Sequence, residues 1–576
     1  MMKTQIFRKK HIYLIVALFA IVLCILQSDG YGKKRKNKKK DQKAEVPQEV
    51  QLDKTIGDLA EIVAFNPIPV KGIGIVVGLA GTGSAECPPA VRDYLRQYIM
   101  TQVGDKQLIN PDRMINSTDT AVVIVEGYIP AGAVQQQPFD ISVKALANAQ
   151  TTSLQSGRLY TTELKYVSQI EETFGAESKT LAFAAGNVYI DNIVEPKPDP
   201  RGGFVLGGGR AIQNTQILLA IYKPDFRAAA VIRNRINERF GKNVANATSD
   251  SMILLSLPER FNDNKERFIK LIKSLYITSS AVSEDKHINL LIEKLQTEPD
   301  KRAYETGLEA IGRLAADRVA LLLKSSEDPQ TRFVAARCLL NIGDDSSLKI
   351  LRDIAQDTAS PFRLDAIKAV GDAAAKRDCL ALMNRIVRDD NLEVRYTAYK
   401  YLQKYDDSSI VRTLIGQDFY LDQVLQTSPK TVWVSRKSEQ RIVLFGAPID
   451  CEKNIFIESD DGFIIINALP DENKISIMRK HPITGELMGP LKASFRLADV
   501  IRILGNELAP EDNKKRAGLG VSYSEIVELL KKMCDKGAVK AIFASSEPVS
   551  IITPQTVKPA KPQATDSTGE LNTITQ

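Results

Sequence analysis

The stretch Val70–Ser84, VKGIGIVVGLAGTGS, comes closer than any other in the sequence to a chemical motif. A strand-like apolar run leads into closely spaced glycines, and such turns can cradle a phosphate with backbone N–H groups. The stretch lacks the closing Gly-Lys-Ser/Thr of a phosphate loop. It also lacks Gly-x-Gly-x-x-Gly at a strand-to-helix turn, with an acidic ribose partner about 20 residues further on. Gly72, Gly74, Gly78, Gly81 and Gly83 are therefore read as structural, in a hairpin or close-packed turn. Phe204–Arg210, FVLGGGR, is placed in the same class.

Other reactive side chains are sparse. The histidines are His11, His287 and His481, too few and too scattered for a metal-ligand set or a His-based triad. His287 and His481 are expected to be ordinary surface residues. The cysteines are Cys24, Cys87, Cys338, Cys379, Cys451 and Cys534, with no CxxC pair. Cys451 and Cys534 would form a disulfide if they meet in one domain; buried thiols fit the sequence equally well. The residues supply no catalytic, cofactor or metal site, so a non-enzymatic protein without a cofactor is expected.

The 576 residues correspond to several domains, and 44% hydrophobic with 26% charged residues suits a chain that buries a core. The net charge of +7 misleads, because Lys33–Lys40 (KKRKNKKK) alone carries seven positive charges. Without it the chain is near neutral, which removes the argument for nucleic acid as a partner. At the N-terminus, Lys3, Arg8, Lys9 and Lys10 precede a 15-residue apolar run, Ile12–Leu26. That length suits a signal peptide better than a spanning helix of about 20 residues. Ser28-Asp29-Gly30 offers small residues for cleavage after Gly30. An uncleaved inner-membrane anchor is the alternative. Cys24 follows Leu23, a poor context for a lipoprotein.

A multidomain α+β architecture is expected, in which mixed α/β modules are interrupted by an all-α solenoid. Its divisions are a signal or anchor (1–30), a basic and polar linker (31–51), an α+β region (52–280), helical repeats (281–407), a second α+β module (408–544) and a disordered tail (545–576). Strands are predicted at Gly74–Gly78, Ala121–Glu126, Phe139–Val143, Ile217–Tyr222 and Met252–Leu257. Arg227–Phe240 is predicted helical and stopped by Gly241, with Arg233, Arg235, Glu238 and Arg239 solvated. Further strands are expected at Thr431–Val434, Arg441–Phe445, Asn454–Glu458 and Phe463–Ala468. Helices are expected at Leu497–Leu504 and Tyr523–Met533.

Between Val282 and Lys404 an internal repeat is visible. Arg332, Ala335 and Leu339 recur as Arg363, Ala366 and Val370, and again as Arg395, Ala398 and Leu402, at steps of 31 and 32 residues. Asp328-Pro329 and Ser360-Pro361 look like helix starts, and Gly343-Asp344 and Gly371-Asp372 like helix stops. Tyr304–Leu314 reads as a degenerate first unit. The pattern resembles short HEAT repeats of the PBS-lyase type, each a helix pair that buries its apolar face against the next.

Around the glycines a second resemblance emerges. IGIVVGLAGTGS, TAVVIVEGYIP (Thr120–Pro130), FDISVKALANAQTTSLQ (Phe139–Gln155), SGRLYTTEL (Ser156–Leu164), LAFAAGN (Leu181–Asn187) and PDFRAAAVIRNRINERF (Pro224–Phe240) resemble, in order, segments of the flagellar P-ring protein family. GLGVSYSEIVELLKKMCDKGAVKAIF (Gly518–Phe543) is similar to that family's closing helix. Family members lack the helical repeats, which look inserted between two family modules. The resemblance implies a homo-oligomeric periplasmic ring around the flagellar rod, a bushing for rotation and motility that works with rod and outer-membrane ring proteins and has no catalytic activity. The alternative is a secreted scaffold that reuses this fold and binds an additional protein through the repeats.

Overall fold

The computed structural model describes residues 54–63, 65–103, 110–166, 179–193, 198–277, 281–480, 485–506 and 518–548. The expected signal or anchor, the basic run, His481 and the tail beyond 548 lie outside the described residues. No helix among the described residues is long and apolar enough to cross a membrane.

A short helix α1 (Ile56–Leu59) leads into strand β1 (Ala60–Ile62). Six strands then close into an antiparallel barrel in the order β2-β3-β4-β7-β6-β5: β2 (Ile68–Val77), β3 (Thr120–Ile129), β4 (Pro138–Ala145), β5 (Arg158–Tyr166), β6 (Thr180–Asn187) and β7 (Gly202–Ala211). Strict alternation places Phe139, Ile141 and Val143 of β4 inside, as a period of two requires. Val70, Val76, Val123, Val125, Leu159 and Val205 join them in the barrel core. Ile73, Ile75 and Val122 point outward. They are covered by Leu95 and Ile99 of helix α2 (Pro89–Val103) and by Ile115 of helix α3 (Pro111–Ile115).

The predicted first α+β region contains a second sheet besides the barrel. β1, β8 (Ile217–Ile221), β9 (Ala245–Ala247) and β10 (Met252–Leu255) pair in the order β1-β8-β10-β9. Helices α4 (Phe226–Phe240) and α5 (Lys265–Ser274) accompany it. Asp225 caps α4 by accepting from the N–H groups of Arg227 and Ala228, and Gly241 ends it.

Eight helices follow: α6 (Ala281–Thr297), α7 (Arg302–Ile311), α8 (Ala316–Ser325), α9 (Pro329–Ile342), α10 (Leu348–Gln356), α11 (Arg363–Ala373), α12 (Lys376–Ile386) and α13 (Leu392–Lys404). The repeat columns Ala335, Ala366, Ala398 and Leu339, Val370, Leu402 are all fully buried in one continuous core. The arginine column is not uniform. Arg332 is exposed, Arg363 is half-buried and Arg395 is buried.

Two expected boundaries differ. Asp328 caps α9 with Pro329 in its first turn, and Gly343 ends it in the left-handed region, as predicted. Gly371, however, lies inside α11, where a Cβ would stand 2.3 Å from the ring of Tyr401. It is a packing glycine, not a stop. Pro361 lies in a turn with Phe362, and the helix begins at Arg363.

The final module holds two sheets. One has the order β11-β12-β14-β13-β19: β11 (Ile410–Ile415), β12 (Phe419–Leu425), β13 (Thr431–Val434), β14 (Arg441–Ala447) and β19 (Ile542–Ser545). The other is the meander β15 (Ile455–Glu458), β16 (Ile464–Ala468), β17 (Ile475–Lys480) and β18 (Leu487–Ala493). Helices α14 (Leu497–Gly505) and α15 (Tyr523–Asp535) complete it; a Ser522/Glu525 capping box starts the second. Every residue of β14 is buried. Val443 and Phe445 face the core of the helical array, while Ile442 and Leu444 face the core of the final module. One sheet thus separates two cores.

Candidate functional site

The glycine-rich stretch is integral to the barrel. Gly72 and Gly74 lie in β2 where β5 crosses closely: a Cβ would stand 2.2 Å from the Glu163 carbonyl oxygen and 2.3 Å from Thr162 Oγ1. Gly78 and Gly81 adopt φ of +77° and +75° in the turn that leaves β2. A Cβ on Gly83 would meet the Thr120 carbonyl at 2.0 Å. The amides of this turn are engaged within the fold. Leu79 N–H donates to the Asp119 carbonyl at 2.9 Å, Gly81 N–H to the Asp119 carboxylate at 3.1 Å, and Gly83 N–H to the Thr118 carbonyl at 2.8 Å. Ser84 N–H donates to the Thr120 carbonyl at 2.9 Å. A phosphate cradle needs such groups convergent and unengaged, so this loop is built for close packing.

Other expected positions carry no assembled chemistry. Among the described residues, no three His, Cys, Asp or Glu side chains are grouped to hold a metal ion. His287 is buried rather than at the surface, its ring stacked on Tyr276 at 3.7 Å. Cys451 and Cys534 do meet in the final module, against one hydrophobic core, and both are free thiols. Burial pushes the Cys451 thiol up to about 12 and the Cys534 thiol up to about 11, aided by Asp450 and Asp535 respectively. Neither is an activated nucleophile.

The structured chemistry of the chain lies at three joints. At the first, Arg235 and Arg239 of α4, expected in solvent, turn inward to the array. Arg235 is 8% exposed and donates to Glu284 of α6 at 2.9 Å. Arg239 donates to the Glu309 and Ala310 carbonyls, both at 2.8 Å, at the C-terminal end of α7. A cation there satisfies orphan carbonyls and the negative end of the helix dipole. Arg267 of α5 pairs with the Glu309 carboxylate.

The second joint ties α13 to the final module. Asp422, with no exposed surface, accepts from Tyr399 Oη at 2.6 Å, Arg412 Nε at 3.1 Å and Arg441 Nη1. Burial, followed by the Asp422 carboxylate, drives the Tyr399 hydroxyl far above its ordinary range, so it stays protonated and donates. Arg395 inserts beside it, donating to the Pro429 carbonyl at 2.6 Å and Thr431 Oγ1 at 3.2 Å. Tyr396 stacks on Trp433 at 4.4 Å.

The third joint ties the barrel to the final module. The Asp140 carboxylate accepts from the N–H of Gly207 at 2.6 Å and of Ser438 at 2.9 Å. Burial raises its pKa, against the opposing pull of those two amides. Arg436 pairs with Asp191, and Tyr189 packs on Tyr523 at 5.7 Å. The first α+β region, the array and the final module therefore hold one another in a closed triangle. The sequence signal for the joints was faint: a charged residue in step with an apolar face. Arg235 falls three residues after buried Ile232, and Asp422 two residues before buried Val424, on the strand face turned to the array core.

These features define a multi-module packing scaffold, a closed barrel braced by a helical repeat array. Residues 55–288 match the family model of the flagellar P-ring protein, and residues 288–371 match that of HEAT repeats. The flagellar P-ring protein of Hydrogenovibrio crunogenus is 29% identical over 258 residues, covering 42% of this chain and 65% of the relative. Those of Aliarcobacter butzleri (26% over 235 residues; 39% and 60%) and Thermotoga maritima (28% over 238 residues; 38% and 66%) are similar. The chain thus spans 65% and 60% of the length of the first two.

Proposed function

We propose that the chain is a non-catalytic structural subunit of a periplasmic ring around the flagellar rod, acting as a bushing. The observation that carries this reading is the family match over 55–288, which takes in the barrel with its close-packed glycines and the second sheet beside it. Its main partner is itself. In a closed ring each subunit offers two different faces to its neighbours. Rod and outer-membrane ring proteins are the further partners. In this reading residues 52–280 and 408–544 form the ring body and 281–407 an inserted brace. Export proceeds through the N-terminal segment, cleaved or retained as an inner-membrane anchor.

A second reading is a secreted scaffold that reuses the fold and binds a protein through the array. It is favoured by the match to HEAT repeats directly after the P-ring match. Electron microscopy of basal bodies from cells with and without the gene separates the two. Loss of a periplasmic ring supports the first reading. An intact ring in the deletion strain overturns it.

A further inference from the structure

The third joint, between barrel and final module, is incompletely filled. Val123, Val125, Ile141, Val143 and Val205 face the barrel core, so their neighbours on β3, β4 and β7 face outward. The register aligns those neighbours in two cross-strand rows, Ile124–Lys144–Gly202 and Glu126–Ser142–Phe204. The rows floor an open groove of about 480 Å³, with Ile190 and Pro198 on one wall and Arg436 and Pro548 of the final module on the other. Gly202 leaves the floor bare: a Cβ there would meet nothing nearer than 3.8 Å.

Pro548 is the last described residue, and the residues before it carry the chain to the groove. Ser546 N–H donates to the Val434 carbonyl at 3.1 Å, Arg436 N–H donates to Ser546 Oγ at 2.8 Å, and Lys437 pairs with Glu547 at 3.4 Å. The sequence then continues Val549-Ser550-Ile551-Ile552-Thr553. Three large apolar side chains thus follow Pro548 at once, whereas Pro554–Gln576 holds only the scattered Val557, Leu571 and Ile574. Three neighbouring strands span about 10 Å, which three or four extended residues cross.

The charges of the groove suit an uncharged occupant. Arg436 pairs with Asp191 and Lys71 with Glu126, leaving one cation, Lys144, and one anion, Asp199, without an ion pair among the described residues. The barrel is closed, so β3, β4 and β7 offer no free edge to an added strand. An occupant is held by its side chains, while its backbone stays hydrated in the open groove.

We propose that Val549–Thr553 of the same chain lies across this groove, its apolar side chains on Ile124, Ile190 and Phe204, and completes the joint between barrel and final module. The tail is then a strap over its first residues, rather than free along its whole length. The inference goes beyond the ring reading and does not rest on it.

Thermolysin cuts before large apolar residues, so the native tail carries its own probes. In the purified full chain the bonds before Ile551 and Ile552 should be cut at least about tenfold more slowly than in a free peptide of residues 546–576, as read by mass spectrometry. The bonds before Leu571 and Ile574 should be cut at the peptide's rate. Gly202→Leu fills the bare floor, and Ile124→Asp places a charge beneath the segment. Each should bring cutting at Ile551 to the peptide's rate while residues 54–548 keep their native resistance, which shows that the variant is folded. Equal rates in native chain and peptide overturn the proposal. Protection that survives both variants also overturns it, because shelter by mere closeness to the folded body does not depend on the groove. Protection that fades on dilution overturns it too, by seating the segment on a second copy. None of these readouts depends on ring formation, so the ring reading and this proposal fail separately.

Discussion

Replacing Asp422 by alanine tests whether the array is clamped to the final module by charge as well as by packing. The carboxylate has no exposed surface and receives Tyr399, Arg412 and Arg441. Its removal leaves the Arg441 side chain, only 6% exposed, with Glu439 alone as its ion-pair partner, and the Tyr399 hydroxyl without an acceptor. Breaking a buried pair from one side costs about 3–5 kcal/mol. Tyr399→Phe removes one hydrogen bond to a charged acceptor and leaves both arginines paired, which costs about 1.5–3 kcal/mol. A chain of several modules does not unfold in two states, so the readout must be local. Hydrogen exchange of the α13 amides should accelerate roughly a hundredfold or more in Asp422→Ala, and less in Tyr399→Phe. Amides of α6 and α7, at the other joint, should change little. Unchanged exchange in α13, or equal effects at both ends of the array, would refute the clamp.

Three further outcomes follow from the same structure. Gly371→Ala brings a Cβ against the Tyr401 ring and should cost about 1–3 kcal/mol, read as faster hydrogen exchange of the α11 amides, with Gly371→Ala/Tyr401→Ala recovering part of the loss. Gly72→Ala pushes a Cβ against the Glu163 backbone within a closed barrel, so soluble yield should fall sharply, whereas Gly241→Ala, with open space around it, should cost less despite its positive φ. The Asp328 pKa is lowered, first by the Thr331 hydroxyl and then by the amides of Thr331 and Gln330 against opposing burial. A carboxylate depressed on folding stabilises above its unfolded value of about 3.9 and loses that contribution as pH falls through the folded value. Asp328→Asn keeps a capping oxygen and removes the titration, so helical ellipticity should fall less steeply below about pH 4 than in the native chain.

The repeat array was the part most legible in the sequence. Ala335, Ala366 and Ala398 are small because helices pack closely there, and that constraint leaves a periodic trace. Strands with strict alternation, such as β4, were equally plain. Strands β11, β12, β17, β18 and β19 left a weaker signal: Ile410–Ile415 has exposed Val411 and Leu414, so apolar character does not report its inward face. The all-apolar VLF of β14 did carry information, since a strand buried on both faces has no polar side. What it could not convey is that its two faces serve different cores. Gly371 misled because glycine after an apolar helical face reads as a stop, whereas Tyr401, thirty residues away, supplies the reason for it. The joints were least legible, because Arg235 and Arg239 look like a solvated face until Glu284 and the end of α7 are brought to them.

The central claim is that this chain builds a ring with its array held as a fixed brace. Cryo-electron microscopy of isolated basal bodies tests it most directly. The account predicts a periplasmic ring into which residues 54–548 dock as one body, with array density as well ordered as the barrel. A ring that the barrel does not fit, or a barrel whose array is averaged away, would contradict it.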